Sequence, residues 1–180
     1  MDRLRRAALL TRLVERLRQQ GSWCGETHVQ KATFLLQRLM KVPLEYEFIL
    51  YKHGPFSFDL RNELTSLRAD DLLLLEPQVP PYGPRMICTE RSRKIQALYP
   101  KTLRKYEDRI TFVAEEFGDK GVVELERLAT ALYVSEQYNT SADDRAQQLC
   151  CLKPHIDAAS AHQAIQEMDR IVKEAKKKDL

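Results

Sequence analysis

The chain has 180 residues and 21.0 kDa, the size of one ordinary domain, which excludes a large multidomain enzyme. With 43% hydrophobic and 31% charged residues and only 6 Gly and 8 Pro, it has enough apolar mass for a core and too few chain breakers for a disordered or fibrous protein. Its formal charge of +3 is a weak pointer to a polyanion, and the sign alternates along the chain: +5 over residues 1–40, −3 over 41–90, +3 over 91–120 and −2 over 121–180.

No apolar run approaches the roughly 18 residues of a membrane span. Arg3, Arg5 and Arg6 open the chain without an apolar signal core, so no membrane association and a cytoplasmic location are expected. Cys24, Cys88, Cys150 and Cys151 fit neither a disulfide framework nor paired C-x-x-C metal ligands and are expected to be reduced, structural thiols.

In residues 3–19, Leu10, Leu13, Val14 and Leu17 fall at i, i+3, i+4 and i+7, the stripe of an amphipathic helix stopped by Gly21. Thr27 and Gln30 read as a capping box opening a second helix through Val29, Ala32, Leu35, Leu36 and Leu39, closed by Pro43. From Leu44 the period becomes two: Leu44, Tyr46, Phe48 and Leu50 alternate with Glu45, Glu47 and Ile49, as in a half-buried strand. Lys52-His53-Gly54-Pro55-Phe56-Ser57 then reads as a tight strand-to-helix turn, with Ser57 capping a helix over 57–69 that carries Leu60, Leu64 and Leu67.

Leu72–Leu75 and Arg85–Cys88, joined by a Pro-rich loop, predict two short strands. Beyond Thr89 the pattern is helical, with helices expected near 90–98, 101–117, 121–138 and 141–151, and a last one after Pro154. The expectation is one domain over 1–180, mainly α with a small antiparallel β element: a winged-helix-like part over 1–88 packed on a C-terminal helical bundle over 89–180.

There is no P-loop, Gly-x-Gly-x-x-Gly, Gly-x-Ser-x-Gly or His-Glu-x-x-His signature, so neither catalytic residues nor a cofactor are assigned. Cys150-Cys151 with His155 and His162 lack the spaced pairs of a zinc site, and no metal is expected. The 51–57 turn presents Tyr51, Lys52, His53 and Phe56 as a binding ridge or serves geometry alone, with Phe56 in the core; Tyr82 in the Pro-rich loop joins the candidate contact residues. The alternative is nucleic-acid binding through Arg61, Asn62 and Arg68, with Arg85 in a wing, opposed by Asp59, Glu63, Asp70 and Asp71. The basic groups at Arg3, Arg5, Arg6, Arg12, Arg16 and Arg18, and at Arg91, Arg93, Lys94, Lys101, Arg104 and Lys105, read as solvated helix faces or as phosphate tracks.

The order Thr27-His28-Val29-Gln30-Lys31, Phe34-Leu35-Leu36-Gln37, Tyr46-Glu47-Phe48 and Tyr51-Lys52-His53-Gly54-Pro55-Phe56-Ser57 resembles the YwgA-like proteins and the broader Panacea group, or SocA-like antitoxin domain. Leu125, Leu128, Ala129, Leu132 and Tyr133, with Lys153-Pro154-His155, extend the likeness over about 26–156. His53 before Gly54 sets it nearer the YwgA-like branch. The resemblance implies a mostly helical, non-enzymatic module that neutralises a protein partner, a toxin or defence-system component, by direct contact. It brings no active-site residues with it.

Overall fold

The computed structural model describes residues 1–80, 83–178 and 180, so Tyr82 lies outside the described residues. The chain is mainly helical, with two separate two-stranded antiparallel sheets among the described residues. Its elements are α1 (Arg3–Gln19), α2 (Glu26–Arg38), β1 (Ile49–Tyr51), β2 (Gly54–Phe56), α3 (Phe58–Ala69), β3 (Leu73–Glu76) and β4 (Arg85–Cys88). They are followed by α4 (Glu90–Leu98), α5 (Pro100–Phe117), α6 (Val122–Gln137), α7 (Ala142–Leu152) and α8 (Ala158–Lys177).

Local chemistry sets the helix starts. Asp2, Ser57, Ser141 and Asp157 each accept a backbone N–H of the first turn, and Thr89 and Ser92 form a reciprocal capping box on α4. The expected box at Thr27 and Gln30 does not form. The N-cap of α2 is Gly25, without a side-chain cap, because Gln30 lies buried in the core where a different backbone claims its amide.

One hydrophobic core contains buried residues of both halves, from Leu9, Leu13 and Phe34 to Ile110, Leu128 and Ile165. α1 packs on α5 and α4, α2 on α6 and α5, and α8 covers α6 and α7. α1 is buried on more than one stripe, with Ala7 through Thr11 all inaccessible. β3 and β4 form the expected hairpin, Leu73 facing Cys88 and Glu76 facing Arg85. Between α2 and α3 lies a β1–β2 hairpin where a helix-turn-helix has a short turn.

The 44–50 segment alternates as expected, Leu44 and Tyr46 buried and Glu45 and Glu47 exposed, but only Ile49–Tyr51 joins a ladder. Upstream, an α2 side chain replaces the partner strand: the Gln37 amide donates to the Tyr46 carbonyl at 2.8 Å and accepts the Tyr46 N–H at 2.8 Å. Gln30, seven residues earlier on α2, does the same for Ser57, donating to its carbonyl at 2.9 Å and accepting its N–H at 3.0 Å. The Gly-Pro element is likewise a strand, not a strand-to-helix turn. Lys52 and His53 form the turn, and Pro55 lies opposite Leu50.

Replacing Gln30 by Leu strips both backbone bonds from a fully buried Ser57, so Gln30→Leu is expected to cost about 2–4 kcal/mol. Urea unfolding of the two proteins checks this; equal midpoints would show that Gln30 does not carry the segment.

Candidate functional site

Three elements converge on the β1–β2 hairpin: α2, α6 and the end of α7. Lys31 of α2 is only 1% exposed and its Nζ donates to the Pro55 carbonyl at 2.9 Å. Lys153, just past α7, donates to the carbonyls of Tyr51 and Lys52 at 2.6 and 2.7 Å. Glu126 of α6 is buried beside them, Oε1 3.3 Å from Lys153 Nζ and 3.4 Å from His155 Nε2, and Oε2 3.6 Å from His53 Nδ1. Glu126 Oε1 and Thr130 Oγ1 make no hydrogen bond among the described residues, so Glu126 acts here as a charge.

Gly54 closes this arrangement. Its φ of +82° is in the left-handed region, and a Cβ there would stand 3.1 Å from Thr130 Oγ1 and 3.4 Å from Lys31 Cε, so a side chain meets both strain and crowding. Burial lowers the Lys31 ammonium to about 8; Glu126 partly opposes that fall and Lys153 adds to it.

The outer face of the hairpin is apolar. Ile49, Tyr51 and Phe58 are 42%, 53% and 48% exposed, and half-buried Phe56 joins the two rings. Ring centroids are 5.6 Å apart for Tyr51 and Phe56, 5.8 Å for Tyr51 and Phe58, and 5.1 Å for Phe56 and Phe58. Phe56 is therefore part of this surface and does not plug the core. Phe58 was missed in the sequence, although a large apolar residue directly after a Ser N-cap was there to be read. Tyr51, Lys52, His53 and Phe56 are brought together; Tyr82 lies outside the described residues.

The candidate nucleic-acid residues divide. Arg61 and Arg68 line one groove of about 410 Å³ with Trp23, Leu64, Leu75 and Pro84. Arg61 approaches Glu26 at 3.9 Å, and Arg68 donates to Thr65 at 3.0 Å. Arg85 pairs with the Glu76 carboxylate and lies 5.9 Å over the Trp23 ring. Asn62 faces a different depression, shared with Arg6, Glu45, Asp59 and Glu63.

Most α1 arginines are engaged within the fold. Arg3 pairs with Asp70 and Glu63, and Arg12 and Arg16 both bond Glu107 of α5. Burial raises the Glu107 carboxyl, but these two guanidiniums outweigh it and hold the group below the usual range. Arg93, Lys101 and Arg104 are exposed, with no ion pair among the described residues.

Cys24 and Cys88 are protonated thiols, pushed up to about 11 and about 12 mainly by burial. His155 faces Glu126 and His162 faces Asp143 at 3.5 Å, so the two histidines near Cys150 and Cys151 point to separate carboxylates. Among the described residues no three His, Cys, Asp or Glu side chains are placed to hold a metal ion. None of their helices is long and apolar enough to cross a membrane.

No protein-family model matches the chain, and no curated protein matches it.

Because the Lys31 amine is lowered to about 8 in the fold from 10.5 when free, the unfolded chain binds the extra proton between those values, and Lys31's contribution to stability rises with pH there. Relative to Lys31→Met, the wild type is expected to gain stability from pH 8 to 10.5, read by chemical unfolding. Parallel pH curves would show that Lys31 titrates normally.

Proposed function

We propose that this chain is a non-enzymatic interaction module, antitoxin-like or accessory to a defence system, that acts in the cytoplasm by binding one partner protein through the β1–β2 face. The carrying observation is the exposed Tyr51, Phe56 and Phe58 cluster on a backbone fixed by Lys31, Lys153 and Gln30. Rigid aromatic anchors contribute contact area at little entropic cost, which is why they dominate binding energy at interfaces. Lys52 and His53 border the rings. The resemblance to the YwgA-like and Panacea group supports the class of partner, a toxin or defence-system component. The buried lysines are spent on carbonyls, which suits scaffolding better than catalysis.

The second reading, a winged-helix DNA-binding regulator, draws its support from Arg61 and Arg68 sharing a groove beside Trp23. Against it stand Asn62 on another face and Arg85 bound to Glu76.

Affinity purification of the tagged full chain from native cytosol, with and without nuclease and at low and high salt, tests both. The expected result is one stoichiometric protein that survives nuclease and salt and is lost from the Tyr51→Ala/Phe58→Ala double variant. Recovery of nucleic acid that falls with salt and with Arg61→Ala/Arg68→Ala, and is indifferent to the ring variant, contradicts the proposal and supports the regulator.

A further inference from the structure

The β1–β2 hairpin has one covered edge and one open edge, and the register identifies which backbone groups lie on each. Leu50 pairs with Pro55, which has no N–H, so this is the non-hydrogen-bonded pair, and the backbone groups of both residues point away from the partner strand. On the β2 side the outward carbonyl of Pro55 is taken by Lys31, and the neighbouring Ser57 is paired with Gln30. On the β1 side, no hydrogen bond among the described residues reaches the outward N–H and C=O of Leu50. Among the helices and strands, β1 makes its main contacts with β2.

An exposed strand with unpaired backbone groups is a template for another strand. Natural edges are blunted by charge, proline or a covering element; this one carries Ile49 and Tyr51 on its solvent face, both exposed. Its proline sits on the other strand, where no ladder bond is lost. The turn end of the edge carries the exposed Lys52, and Lys153 lies there on the carbonyls of Tyr51 and Lys52, paired with Glu126. The opposite end carries exposed Glu47.

We propose that the partner protein is bound by strand addition: an extended segment pairs with the Leu50 backbone along the free edge of β1. Its apolar residues lie against Ile49, Tyr51 and Phe58, and an acidic residue sits at the Lys52 end. This rests on the interaction-module reading and specifies the partner's chemistry as an extended, alternating apolar segment with acidic character, neither helical nor proline-rich.

The test uses the full chain and eight-residue peptides selected on it from a random display library, with affinities read by fluorescence anisotropy. Enriched peptides are expected to alternate Val, Ile or Tyr with polar residues, to carry Asp or Glu, and to lack central proline. Leu50→Pro removes the outward N–H without taking a bond from the β1–β2 ladder, so it is expected to weaken binding by about tenfold or more. Leu50→Val, which keeps that N–H, binds as wild type.

A direct readout covers a poorly folded Leu50→Pro: saturating peptide is expected to slow amide exchange at Leu50 in the wild type by about tenfold or more. Binding lost in Tyr51→Ala/Phe58→Ala but unchanged in Leu50→Pro, with Leu50 exchange unmoved, overturns strand addition and leaves the module reading standing. Failure to enrich any peptide, enrichment of helical or Pro-rich peptides, or a dimer of this chain abolished by Leu50→Pro likewise overturns it.

Discussion

The structure depends on one helix that offers polar side chains to a segment without a strand partner. Gln30, Lys31 and Gln37 of α2 supply the hydrogen bonds that a third strand would otherwise make for residues 46–57. A backbone amide left bare inside a protein costs about as much as the bond it lacks, so such a segment folds only where its buried groups are matched. Burying an ammonium and two carboxamides is expensive in isolation. It is tolerated because each meets a fixed carbonyl or amide and because Glu126 balances the charge of Lys31 and Lys153.

This constraint divides the hairpin's two faces. Inside, Phe48 meets Phe34 with ring centroids 5.2 Å apart, and Gly54 lies against Thr130. Outside, the rings of Tyr51, Phe56 and Phe58 stand on a backbone with little freedom left to lose. A partner that docks there orders few groups of this chain, which lowers the entropic cost of association. The basic face of α1 is taken up within the fold: Arg3, Arg12 and Arg16 are occupied by Asp70, Glu63 and Glu107 and hold helices together.

Elements with local determinants were legible in the sequence. The 3.6-residue stripes, the Ser57 and Ser141 caps and Gly118 after α5 placed the helices to within a few residues, and the period of two over 44–50 marked the buried and exposed sides correctly. The errors arose where a distant partner decides. Gln30 looked like a cap residue because its true partner is 27 positions away, and the ladder upstream of Ile49 was expected to be strand because side-chain carboxamides leave no periodic trace. Glu126 and Lys153 carry no local sign of burial, being polar residues whose environment is set by the meeting of α2, α6 and the α7 terminus. Tyr51, Lys52, His53 and Phe56 were readable as a group because one turn holds them. Phe58 stands outside that turn, as the first residue of α3, and joins the group only through its ring contacts with Tyr51 and Phe56.

Polar side chains of α2 hold residues 46–57 as rigidly as a third strand would, leaving the Leu50 edge open. Residue-resolved hydrogen exchange of the free chain tests it most directly. The Tyr46 and Ser57 amides should exchange only through global unfolding, while the Leu50 amide should exchange faster by orders of magnitude. Tyr46 and Ser57 amides exchanging as fast as Leu50 would contradict it, because the segment would then be loose and the aromatic face would have no fixed support.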